Sequence, residues 1–152
     1  MKTKRLIPLA LLGCFFATNS FAQDDDKYTE GNVVMITMIR TGANAQDEYL
    51  KQLSTYYVPM MTKAKAQGLI VDFKLLAGGA ANEDDFDVML MTEHANMAAL
   101  DPDPARKAKW DAIRKELDTA MGGEEKAKVM VQGYEAIRDM RGSKLMRVQI
   151  PK

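Results

Sequence analysis

Catalysis needs a nucleophile, a base, a metal cage or a phosphate cradle, and this 152-residue sequence offers few candidates for any of them. His94 is the single histidine and Cys14 the single cysteine. His94 falls where a strand is expected to end, a position that often carries function, and it is the one candidate catalytic residue, as an acid–base group or a haem ligand. The competing reading is a structural histidine bonded to a backbone carbonyl, since no second ligand or base stands nearby. With one Cys and one His, a disulfide framework and a Cys/His zinc site are excluded. Gly78-Gly79 and Gly122-Gly123 are turn doublets rather than a phosphate loop, and no Gly-x-Ser-x-Gly is present.

Methionine is abundant, at twelve residues. Met35 with Met38, Met60 with Met61 and Met89 with Met91 raise the question of a thioether site for Cu(I). On a strand, Met35 and Met38 point to opposite faces, while Met89 and Met91 share one at about 7 Å without a His or Cys helper. Adaptable packing in a core or pocket explains them better. The acidic runs Asp24–Asp26 and Glu83–Asp85 lack the spacing of a calcium loop. The expectation is no metal and no cofactor. Tyr49, Tyr56 and Tyr57 read as packing residues on a helix.

The charge balances at 21 basic and 21 acidic residues, so the basic stripe of a nucleic-acid binder is missing. Residues 1–22 read as a secretory signal peptide. Lys2, Lys4 and Arg5 precede the apolar run Leu6–Ala17, which is too short to span a bilayer, and Ser20-Phe21-Ala22 offers a cleavage site. Cleavage after Ala22 removes three basic residues and Cys14, leaving 18 basic against 21 acidic residues and no thiol, which suits an oxidising compartment such as the periplasm. The alternative is a lipobox at Leu11-Leu12-Gly13-Cys14, with the chain lipid-anchored through Cys14. No transmembrane segment is expected in the mature chain.

Residues 23–31 read as a flexible acidic arm before a single domain over 32–152. Val33–Arg40 predicts a strand buried on both faces. Asn44, with Asp47 and Glu48, predicts the cap of a helix that kinks at Pro59 and stops at Gly68. Leu69–Leu76 and Phe86–Thr92 predict the next strands. A short helix is expected over Asn96–Leu100, followed by one that Asp103 caps with Pro104 at its first position and that presents Trp110, Ile113, Leu117 and Met121. A last helix over Glu124–Arg141 and a strand over Leu145–Ile150 close the chain.

This order is the β-α-β-β-α-β plan of the ferredoxin-like α+β sandwich, with an extra helix before the last strand. The strand Val33–Arg40 with Thr41-Gly42, the helix ending Ala66-Gln67-Gly68, and the strands Ile70–Ala77 and Phe86–Glu93 leading into His94–Leu100 resemble the dimeric α+β-barrel superfamily over residues 31–152. That resemblance implies a homodimer in which two sheets face each other and close a barrel. The superfamily includes small monooxygenases, isomerases and haem-handling enzymes, so it leaves the chemistry open. Period-two alternation assigns Val71, Phe73 and Leu75 to the helix side. The open face then receives Ile70, Asp72, Lys74 and Leu76, with Asp87, Met89 and Met91, and with Leu145, Arg147 and Gln149. Such a face is too apolar to stay wet, and pairing it with its copy leaves a semi-polar cavity. Leu76, Met89 and Met91 would give a small organic ligand apolar contact, and Lys74 or Arg147 would orient a polar group. Asp72 and Asp87 share the charged cluster, whose alternative role is ion pairing across the dimer. A cofactor-independent monooxygenase- or isomerase-like enzyme and a structural envelope protein are the alternative functions.

Overall fold

In the computed structural model, which describes residues 27–152, the chain forms an α+β ferredoxin-like fold. The elements are β1 (Tyr28–Thr41), α1 (Gln46–Thr55), α2 (Tyr57–Ala66), β2 (Asp72–Ala77), β3 (Val88–His94), a 3₁₀ turn (Met97–Leu100), α3 (Pro104–Ala120), α4 (Glu124–Glu135) and β4 (Arg138–Pro151). The four strands form one antiparallel sheet in the order β2-β3-β1-β4, with the helices on one face. The expected signal peptide and lipobox lie outside the described residues.

Sheet register divides the side chains cleanly, because directly opposed residues share a face. Val33, Met35, Thr37 and Ile39 oppose His94, Thr92, Leu90 and Val88. This set faces the helices, where Ile39, Val88 and Leu90 pack with Tyr49 and Leu53 of α1. A second cluster joins Met61 and Ala64 of α2 to Ile113 and Leu117 of α3, Ala127 of α4 and the Leu69-Ile70 turn.

Local chemistry accounts for most boundaries. Asp103 accepts from the Arg106 amide at 2.8 Å with Pro104 behind it, and Asn96 caps the 3₁₀ turn by accepting from the Ala99 amide at 3.0 Å. Gly68 ends α2 with φ of 69°, a left-handed conformation that costs glycine least.

Several expectations are corrected. The kinked helix is two helices, broken at Tyr56: Pro59 removes an amide and its ring crowds the Thr55 carbonyl, so the turn before it opens. Tyr56 fills the break, donating to Asp118 of α3 at 3.0 Å; burial, then this bond, pushes its hydroxyl up to about 12. The cap of α1 is Ala45 without a side-chain bond, while Asn44 takes a left-handed φ of 59°. β1 begins at Tyr28, so residues 28–31 of the expected arm are strand, and only one face of β1 is covered by helices. The last helix stops at Glu135, and its expected end from Arg138 to Arg141 belongs to a β4 of 14 residues. Ile70 precedes β2 and is buried in the helical cluster, and Val71 is exposed rather than covered.

Candidate functional site

The face of the sheet away from the helices is the candidate site. β1 contributes Val34, Ile36, Met38 and Arg40; β3 contributes Met89, Met91 and Glu93; β2 contributes Asp72, Lys74 and Leu76. Across β1, Met146 opposes Val34 and Lys144 opposes Ile36, so Val148 and Ile150 lie on this face too. The assignment of β4 is therefore the reverse of the one expected. Leu145, Arg147 and Gln149 share the side of Val33 and Met35, and Arg147 forms an ion pair with Glu30. The more apolar set of β4 points away from the helices. Apolar patterning by itself places that set inward, but the helical layer does not extend over β4, whose residues beyond Arg138 are all exposed.

The expected ligand residues separate into three groups. Lys74 and Met91 line a shallow depression of about 170 Å³ with Val34, Asp72, Phe73, Glu93 and Val148. Leu76 and Met89 line a second one of about 290 Å³, between the sheet and the 78–87 loop. Arg147 lies on the other side of the sheet and leaves the site. Asp87 precedes β3 and clamps the end of β1, its carboxylate accepting from the Thr41 amide at 2.9 Å and from the Thr41 hydroxyl at 2.5 Å. Asp87 borders the second depression as well, but its carboxylate oxygens are committed to Thr41.

Charges at the first depression are partly neutralised in place. Asp72 accepts from Lys65 at 2.6 Å, a hydrogen bond that holds its exposed carboxyl below the usual range. Glu93 accepts from the Asn32 side-chain Nδ2 at 2.7 Å, and Lys74 forms no ion pair among the described residues. Sequence reasoning missed Val34, Ile36, Met38, Met146, Val148 and Ile150. The alternation in β1 and β4 was there to be read, but with apolar residues on both faces it does not say which face is bare.

His94 ends β3 as expected, but it opposes Val33 and so lies on the helix side, 9% exposed, with Nδ1 buried and unpartnered. The backbone-carbonyl bond expected for a structural histidine is not made by that atom. Burial pulls its pKa below the ordinary 6.5, because desolvation disfavours the charged ring. As pH falls below about 6.5 the unfolded chain takes up a proton that the folded chain resists, so this contribution is present above that pH and is lost below it. Urea melts of wild type and His94→Gln at pH 7.5 and 5.5 test this. The wild type is expected to lose more midpoint on acidification than the variant, and equal losses would contradict it.

Met35 and Met38 lie on opposite faces, as the alternation requires, and Met38 opposes Met89. Among the described residues no group of three His, Cys, Asp or Glu side chains is placed to hold a metal ion. No helix among them is long and apolar enough to cross a membrane.

No protein-family model and no curated protein sequence matches this chain. A solved structure that is similar is a dimeric ferredoxin-like protein from an uncultured marine organism, with 12% identity and a TM-score of 0.44, covering 80% of this chain and 96% of that one. With a likeness that distant, it is the chain's own strand order and register that define the α+β ferredoxin-like fold.

Proposed function

We propose that this chain is an exported homodimer whose two open sheet faces meet and enclose a cavity for a small, partly apolar organic ligand. The observation that carries the reading is the bare apolar face: Leu76, Met146 and Ile150 are 49%, 54% and 49% exposed on one side of the sheet, in a continuous surface with Val34, Ile36, Met89 and Met91. Surfaces of this kind on soluble proteins mark interaction sites. A twofold axis covers such a face with its own copy and buries the apolar parts twice. Lys74 then lies at the cavity rim beside Met91, where it would orient an acidic or carbonyl group while the thioethers adapt to an apolar body. His94 lies beneath the helices, so the enzyme alternative has no imidazole base in this cavity.

Native mass spectrometry of the protein made in an export-competent bacterial host tests the parts together. The expected spectrum is a dimer of chains beginning at Gln23, carrying a bound small molecule released on activation. A monomer would refute the dimer, an acylated Cys14 the soluble export, and a ligand-free dimer with no uptake from a metabolite extract the binding role.

A further inference from the structure

Two carboxylates stand opposite each other on the open sheet face. Asp72 of β2 is directly opposed by Glu93 of β3, an arrangement that is repulsive unless the charges are held or balanced. Lys65 of α2 reaches Asp72 at 2.6 Å and balances it. Glu93 instead receives a hydrogen bond of 2.7 Å from Asn32 Nδ2, a neutral donor that orients one carboxylate oxygen and leaves the negative charge in place. Asn32 sits in a bulge, because the register of β1 with β4 slips between Glu30 and Val33, and bulges re-aim side chains. Gly31 lets that bulge lie close under β4: a Cβ there would come within 3.1 Å of Ile150 Cδ1 and 3.2 Å of Val148 Cβ. Two residues along from Asp72, Lys74 opposes Met91 and has no ion-pair partner among the described residues. Lys74 and Glu93 are therefore diagonal neighbours, with Cβ atoms about 7–8 Å apart in such a pairing. Both line the depression of about 170 Å³ whose apolar surface includes Val34, Met91 and Val148.

We propose that this depression takes a zwitterion, a small amino acid with an apolar side chain. Its ammonium group sits on the Glu93 carboxylate, its carboxylate on Lys74, and its apolar body on Val34, Met91 and Val148. The inference rests on the enclosed cavity above and names the ligand class for it. A ligand with only an acid group would leave Glu93 without a counter-charge once a second copy closes over the face. One with only an amine would leave Lys74 in the same position, and an unpaired enclosed charge is costly. A zwitterion satisfies both and adds no net charge. Asn32 acts as a positioning residue, holding one Glu93 oxygen so that the other is left to accept from the ammonium group.

Calorimetric titration of the purified mature dimer tests this with three probes that share one branched apolar body. They are L-leucine, isocaproate, which lacks the ammonium group, and isoamylamine, which lacks the carboxylate. Leucine is expected to bind at least about tenfold more tightly than either, the worth of one hydrogen-bonded charge. Glu93→Gln is expected to remove that factor for leucine while binding isocaproate no more weakly. Lys74→Met should remove it for leucine while binding isoamylamine no more weakly. Both side chains point away from the helical core, so sedimentation of the variants is expected to show wild-type dimers. Leucine bound no more tightly than isocaproate overturns the zwitterion and leaves an apolar cavity standing. A dimer that takes none of the probes also overturns it, and variants that dissociate more readily would then pair Lys74 with Glu93 across the interface. A monomeric wild type overturns the cavity itself.

Discussion

Met89→Asp is expected to convert the dimer to a folded monomer. Met89 lies on the open face near the start of β3, opposed by Met38 on β1 and Leu76 on β2. It points away from the helical core, so the substitution leaves the Ile39, Val88 and Leu90 cluster in place. In a face-to-face dimer each new carboxylate would be trapped without a partner and next to thioethers. An unpaired charge in such a place costs on the order of 3–5 kcal/mol, which weakens association by a factor of at least about 100. Light scattering at micromolar concentration reads the mass, and far-UV circular dichroism checks the fold. A dimer of unchanged stability would remove the open face from the interface and the enclosed cavity with it.

Ile39→Ala should lower folding stability by about 4 kcal/mol, within the roughly 2–5 kcal/mol range for truncating a buried isoleucine. Ile39 is 0% exposed and opposes Val88, with Tyr49 and Leu53 of α1 above them. Backbone bonds on both sides keep this part of β1 from relaxing: Asp87 donates its amide to the Ile39 carbonyl at 3.0 Å, and its carboxylate holds Thr41. A cavity opened there stays open, which is why the cost falls toward the upper part of that range. Urea unfolding at pH 7.5 measures it, at low protein concentration so that dimerisation does not mask the loss. A loss below about 1 kcal/mol would mean that α1 settles onto the sheet and that the site is less tightly packed than its contacts indicate.

What was legible in advance was set locally. Asp103 with Pro104, Asn96 and Gly68 fix their turns through bonds and backbone angles within a few residues, and the period-two alternation of β3 placed Val88 and Leu90 opposite Met89 and Met91 correctly. Such patterns also carry the strand and helix order, and with it the α+β ferredoxin-like fold. The break at Tyr56 was misjudged because Pro59 permits a kink or a break equally. The Tyr56–Asp118 bond to α3, 62 residues away, joins the opened turn to the rest of the helical layer.

Tertiary structure alone decided which side of each strand meets water. Met146, Val148 and Ile150 form the more apolar set of β4, and hydrophobicity within one chain directs such a set inward. The helices end before they cover β4, so both sides of that strand are bare and register with β1 assigns them. Asp87 and Arg147 changed roles for the same reason: a charged residue near a strand end takes whichever partner the neighbouring strand supplies, Thr41 in one case and Glu30 in the other. The sequence by itself determined that an amphipathic sheet would exist. The reach of the helical layer, a property of how whole elements stack, determined which face was left exposed.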